Sequence, residues 1–148
     1  MVQSIFPLTD QVTEMGLIRT PYITGKHKLF KAAIAFTPGL VAADLTAIEA
    51  DFTGYAAITY TTCGPVYVDP AGGVTFDTTV AVFLDSGPAV ANDIHGGWIE
   101  NAAGDLLVAW QLASPISMGA ALDAMNVELI VNRFGPRNVV VVVNGVPQ

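Results

Sequence analysis

The residues with the greatest chemical reactivity in this chain are few and lie far apart in the sequence. The 148 residues include two histidines, His27 and His95, and one cysteine, Cys63. Asp93 and His95 are two positions apart on a predicted strand, so their side chains point to the same face. A protein metal site normally needs three or four converging ligands, and no third histidine or second cysteine joins this pair. We therefore expect an ordinary polar strand face here, with no bound metal and no cofactor.

Serines and carboxylates also lack the sequence surroundings of a catalytic site. Ser86 precedes Gly87-Pro88, and Ser114 and Ser117 flank Pro115, which is typical of turn residues and not of a Gly-x-Ser-x-Gly elbow. The acidic residues are spread over separate segments, and no two of them are recognisable as a general acid facing an ionised partner. We expect that the protein is not an enzyme.

A predicted hairpin contains two adjacent glycines and two tryptophans. Gly96-Gly97 precedes Trp98 on a strand rather than a helix N-terminus, so the pair predicts a bulge or a close backbone approach and not a phosphate-binding loop. Trp98 and Trp110 flank the hairpin loop. We favour a core position for both, and the alternative is that one of them anchors a partner. Cys63 has no disulfide partner and is expected to be a small buried hydrophobe.

The composition is unusually poor in charge. Hydrophobic residues make up 52% of the chain and charged residues 13%, against about 25% charged residues in typical soluble domains. A monomer this short of charge would have difficulty covering its surface with polar groups. We therefore expect a homo-oligomer, possibly a trimer, with a tightly packed β monomer as the alternative.

Charge is also placed unevenly along the chain. The net charge is −7, the segment 32–132 contains no Lys or Arg, and Arg19, Lys26, Lys28 and Lys31 form a basic stretch before it. An acidic body repels phosphate, which argues against direct nucleic-acid binding. No stretch approaches the roughly 20 apolar residues that cross a bilayer, and the start has no signal-peptide pattern. We expect no membrane partner and synthesis in the cytoplasm.

The order of predicted elements favours an all-β protein. Short strands are separated by turn signals about every ten residues, which is typical of a single antiparallel β-sandwich or jelly-roll-like domain over residues 26–148, with a closed barrel as the alternative. The clearest hairpin joins strands at 94–100 and 106–112. One long strand is also expected over 74–84, two late strands at 127–134 and 138–143, and one helical turn at 119–125. Residues 42–50 predict one short helix, with Asp44 able to cap its start. Residues 1–25 show no sustained periodicity and predict an extended N-terminal arm.

Two segments carry apolar residues that need a partner or a core. In the arm, Met15, Leu17 and Ile18 are candidates for packing on the body or on a neighbouring subunit. In the run 139–143, every residue is valine, so both faces of that strand must be covered. We expect interface residues at Met15, Leu17, Ile18, Val139, Val141 and Val143. For the valine run as a whole, burial inside the protomer is favoured, and burial between protomers is the alternative.

A family resemblance appears in two stretches of the chain. The segment 44–56 reads DLTAIEADFTGYA and the segment 95–111 reads HGGWIENAAGDLLVAWQ. Together with Leu29-Phe30 before them and Ser114-Pro115 after them, these stretches resemble a group of small phage-encoded proteins that lie among virion structural genes. The resemblance covers roughly residues 28–134 and includes neither the arm nor the valine-rich end.

This resemblance implies a virion-associated β domain without catalytic residues. We expect a phage virion structural protein, located in the virion after synthesis in the host cytoplasm, that acts as a capsid decoration or stabilising protein. Its partners would be further copies of itself and the major capsid protein or other virion proteins. The alternative is a tail-tip or fibre module that binds a host-surface ligand, which would present an exposed Trp or Tyr in a groove.

Overall fold

Two antiparallel sheets pack face to face around one main core, as the turn spacing predicts. The computed structural model describes residues 8–70, 73–133 and 139–148. The helices are α1 (Leu8–Arg19) and α2 (Ala42–Thr46), with a 3-10 turn at Thr20–Tyr22 after α1. The strands are β1 (Lys26–Phe30), β2 (Ile58–Thr59), β3 (Tyr67–Val68), β4 (Val74–Asp77), β5 (Ala81–Leu84), β6 (Asn92–Glu100), β7 (Leu106–Met118), β8 (Ala124–Arg133), β9 (Val139–Val143) and β10 (Val146–Pro147).

The first sheet has the strand order β2-β1-β6-β7 and the second has the order β10-β9-β8-β4-β3. β5 also pairs with β8, so β4 and β5 lie beside different halves of the same long strand. The expected all-β sandwich-like class is confirmed, and the short helix expected near residue 42 is present. Asp44 caps this helix from inside the first turn, where its carboxylate accepts the Val41 N–H, rather than from the position before it.

The predicted hairpin is confirmed as β6 and β7, and its turn follows from local chemistry. The Asn101 side-chain oxygen accepts the N–H groups of Ala103 and Asp105, both at 2.9 Å. Gly104 has a φ of +91°, a conformation that a side chain at Cβ disfavours. The glycine pair predicted a bulge or a close backbone approach, and the close approach is present, because a Cβ at Gly97 would lie 2.6 Å from the Lys28 carbonyl oxygen. The register of β6 and β7 also shifts between Ile94 and Gly96, with the extra residues on β7.

Residues 8–22 differ from the extended arm that the sequence predicted. They form α1 and the 3-10 turn, with the Met15 side chain in the main core and the Tyr22 ring 5.2 Å from that of Phe76. Arg19 fixes the end of the helix, donating to the Gly64 and Cys63 carbonyl oxygens at 2.6 Å each. The first seven residues of the predicted arm lie outside the described residues.

Most strand predictions agree with the structure, with two informative departures. The single long strand expected over 74–84 is divided into β4 and β5, because Thr78 between them accepts the Leu129 N–H through its side chain. The helical turn expected at 119–125 is instead a turn leading into β8. The late strands expected at 127–134 and 138–143 are β8 and β9, and residues 134 and 138 lie outside the described residues.

Candidate interaction surfaces

The residues that the sequence selected as an interface are divided between core and surface. Met15 is fully buried and Ile18 is half-buried against the same core. Leu17, on the opposite side of α1, is 72% exposed. On β9, Val141 and Val143 are buried inside the protomer, and Val139 packs against them as a half-buried residue. The structure therefore leaves Leu17 open to a partner and places the other five in or against the core of the protomer.

β9 presents its remaining valines to the opposite face of the second sheet. Val140 pairs with Ile130 and Val142 with Glu128, and all four side chains lie on the face away from the core. Strand β5 and the residue before it add three apolar side chains that are about half exposed. These are Val80, Val82 and Leu84, at 51%, 52% and 49%. We call this surface the outer face. It comprises Asp77, Val80, Val82, Leu84, Asn126, Glu128, Ile130, Val140 and Val142.

The outer face is shallow and acidic at its polar positions. A depression of about 200 Å³ is lined by Val80, Asn126, Glu128, Val142 and Gly145. Burial among the valines and repulsion from Asp77 raise the pKa of the Glu128 carboxyl. An apolar surface that carries two acidic side chains suits a partner that supplies apolar contacts together with basic groups.

A second open surface is the backbone edge of β7. This strand pairs with β6 along one side, and in the described part of the chain no backbone group of residues 106–118 bonds to a strand on the other side. Residues 106–109 are all half-exposed, as expected for a strand at the edge of a sheet. The edge therefore offers unpaired N–H and C=O groups to another strand.

The basic stretch of the sequence is largely neutralised within the protomer. Lys28 lies 3.1 Å from Glu100 and 3.6 Å from Glu49, and its ammonium stands 5.5 Å from the centre of the Trp98 ring. Lys31 pairs with Asp51 at 2.6 Å. The charged cluster around Lys28 holds β1, β6 and residue 49 together, and its three charged side chains are each no more than 24% exposed.

The buried His27 belongs to a hydrogen-bonded chain that reaches across the core. Its Nδ1 lies 2.7 Å from the Tyr60 hydroxyl, and its Nε2 lies 3.2 Å from the Trp110 indole nitrogen. Burial lowers the pKa of His27 to about 3. This arrangement could not be predicted from the sequence, because the partners of His27 are 33 and 83 residues away.

The remaining candidates for chemistry are separated from one another. Cys63 is buried, as expected, and burial raises the pKa of its thiol. Asp93 is exposed and accepts the Ser117 hydroxyl, while His95 on the same strand is half-buried. Among residues 8–70, 73–133 and 139–148, no three His, Cys, Asp or Glu side chains converge in a way that could hold a metal ion.

The larger depression, of about 380 Å³, lies between the start of α2 and the β6–β7 turn. Its lining consists of Leu40, Val41, Ala42, Ala43, Gly104, Asp105 and Leu106. One carboxylate among aliphatic side chains and backbone gives a ligand little to orient it, since specific small-molecule sites combine an apolar wall with several placed polar groups.

Comparison with known proteins adds no relative: no family model, no curated protein and no solved structure matches this chain. None of the helices in the described residues has the length and apolar character needed to span a bilayer.

Proposed function

We propose that this chain is a phage virion structural protein that works by assembly and decorates the head shell. The observation that carries the proposal is the outer face, where Val80, Val82 and Leu84 remain about half exposed beside the apolar side chains of β9. Contiguous apolar surface of this kind is typical of protein interaction sites. The resemblance of residues 28–134 to phage virion proteins supports the virion setting.

The partner of the outer face is a shell protein and not a second copy of this chain. Two copies joined through this face would bring Asp77 and Glu128 of one copy toward the same acids of the other. Like charges brought together at a desolvated contact oppose association. We infer that the shell surface supplies apolar side chains with Lys or Arg groups near these two carboxylates.

The tail-tip or fibre alternative is less well supported by the positions of the aromatic residues. It predicted an exposed Trp or Tyr in a groove. Trp98 and Trp110 are buried, and so are Tyr22 and Tyr60. Of the four tyrosines only Tyr67 counts as exposed, and it lies on a two-residue strand with its hydroxyl donating to Asp77.

The proposal is tested by immunogold labelling of particles released from cells that carry the gene in its native genome. An antiserum against the purified protein is expected to label heads at many regularly spaced points. Labelling confined to tail tips or fibres would replace decoration by the ligand-binding alternative. Unlabelled particles, with the protein left in the soluble fraction, would overturn the virion assignment.

A further inference from the structure

β7 differs from every other edge strand in this fold by its length. β2, β3, β5 and β10 each pair along one side only, and they contain between two and four residues. β7 has 13 residues. In the described part of the chain it is therefore the longest edge available for pairing with another strand.

Natural edge strands are usually protected by charge, proline or a bulge. β7 has such protection in two places. Between the pairs Ile94–Ile116 and Gly96–Gln111, β6 advances by two residues and β7 by five, so residues 112–115 bulge and include Pro115. Between Ile99 and Glu100, β6 advances by one residue and β7 by two, so Leu107 bulges. The regular segment between the two bulges, residues 108–111, has the sequence VAWQ, with no charged residue and no proline. It is left open to pairing.

We propose that residues 108–111 pair antiparallel with the same residues of a second copy across a two-fold axis, joining two four-stranded sheets into one sheet of eight strands. This deepens the proposed function by naming the self-contact of the assembled protein. An uncharged strand can meet its own copy without repulsion, whereas the acidic outer face cannot. The pairing adds main-chain hydrogen bonds without requiring either fold to change.

The same geometry selects a dimer over the trimer that the composition had suggested. A ring of three subunits built by strand pairing needs two different edges on each subunit. In the described residues the next longest edge strand, β5, has four residues and lies against β2. An isologous β7–β7 contact closes after two copies and leaves both outer faces free for the shell.

The first test is the solution mass of the intact chain by light scattering behind a sizing column, over a wide range of concentrations. The proposal predicts a species of twice the chain mass of 15.5 kDa. A species of one chain mass at every concentration would overturn the proposal. A trimer or a larger closed ring would overturn it as well, since β7 pairing cannot produce one.

Two proline variants then locate the contact. Successive N–H groups along a strand point to opposite sides, so either residue 108 or residue 109 directs its N–H to the open edge. Of Val108→Pro and Ala109→Pro, the one at the outward N–H is expected to give a folded monomer, with a twofold loss of mass. The other is expected to damage the β6–β7 ladder. If both proline variants fold and remain dimers, the proposal is contradicted.

A cross-linking experiment decides the matter if both proline variants fail to fold. Ala109→Cys is expected to form a covalent dimer with a short bifunctional maleimide, because the two-fold axis lies within residues 108–111. Leu17→Cys, on exposed α1, is the matched control and is expected to stay single. A dimer that cross-links at residue 17 and not at 109 would place the contact elsewhere. If residue 109 does not cross-link while the immunogold experiment labels heads, the β7–β7 contact is wrong and the proposed decoration role is unaffected.

Discussion

The indole N–H of Trp110 donates to Nε2 of His27 across 3.2 Å inside the sandwich. An indole nitrogen is only a donor, so Nε2 carries no proton and the ring proton lies on Nδ1. Nδ1–H then donates to the Tyr60 hydroxyl oxygen 2.7 Å away. A second proton on His27 would have to occupy Nε2, where it would face the indole N–H. The two contacts therefore hold the imidazole in one neutral tautomer.

This arrangement makes the folded state sensitive to moderate acid. Burial lowers the pKa of His27 from 6.5 to about 3. The unfolded chain takes up the proton first as the pH falls below 6.5, so the free energy of unfolding decreases from there toward pH 3 and is unaffected above 6.5. The slope is at most about 1.4 kcal/mol per pH unit.

Urea denaturation between pH 6.5 and 5 measures this slope above the range in which most carboxylates titrate. Nitrogen NMR of the imidazole supplies the independent readout, and His27 is expected to remain neutral with its proton on Nδ1 throughout that window. A His27 signal that titrates near 6.5 would contradict the buried neutral tautomer.

Helix α1 offers a matched pair of substitutions on its two sides. Met15 is fully buried and Leu17 is 72% exposed. Truncating a buried Met to Ala typically costs about 2 to 5 kcal/mol, and we expect Met15→Ala to lower the free energy of unfolding within this range. Leu17→Ala is expected to change it by less than about 0.5 kcal/mol. Chemical denaturation compares the two, and equal small effects would mean that the segment is the extended arm that the sequence predicted.

The close approach of β1, β6 and β7 depends on the absence of a side chain at Gly97. A Cβ atom there would lie 2.6 Å from the Lys28 carbonyl oxygen and 2.6 Å from the Trp110 ring. We expect Gly97→Ala to destabilise the fold by about 1 to 3 kcal/mol through overpacking. Gly16→Ala is the control, because a Cβ at this helical position meets nothing within 4 Å. Replacing Gly by Ala inside a helix stabilises it by up to about 1 kcal/mol. Thermal unfolding should move in opposite directions for the two variants.

The outer face can be tested with particles that lack the protein. Purified wild-type chain is expected to co-sediment with particles made from a genome in which the gene is deleted. Val82→Lys removes an apolar contact and opposes a basic partner, so it should weaken binding at least about tenfold, or about 1.4 kcal/mol. Leu17→Lys adds the same charge to exposed α1 and is expected to bind normally. Equal binding by both variants would show that the shell does not contact the outer face.

The sequence predicted those elements whose signals are local. The β6–β7 hairpin follows from its Asn-Ala-Ala-Gly-Asp turn, and the close backbone approach at Gly96-Gly97 from two adjacent residues that lack side chains. The Val141 and Val143 side chains alternate inward along β9 as the period of a strand requires. Each of these features can be derived from a window of about ten residues.

Features that depend on contacts between distant parts of the chain could not be predicted from such short windows of sequence. Among residues 11–19, whose side chains the structure describes, Met15 is the one fully buried residue of helix α1. The helix also contains Gly16, so its pattern is weak, and it is held by Arg19 contacts 44 and 45 residues away. The open edge of β7 depends on the strand order, which the hydrophobic pattern does not specify. The outer face depends equally on which side of β9 the second sheet presents to its core.

The measurement that tests the central claim most directly is the copy number of this chain in purified particles, determined by quantitative mass spectrometry against the major shell protein. The account predicts a fixed ratio to the shell protein that persists through repeated purification, with many copies in each particle. The absence of the chain from purified particles, or a trace amount that falls with each purification step, would contradict the account.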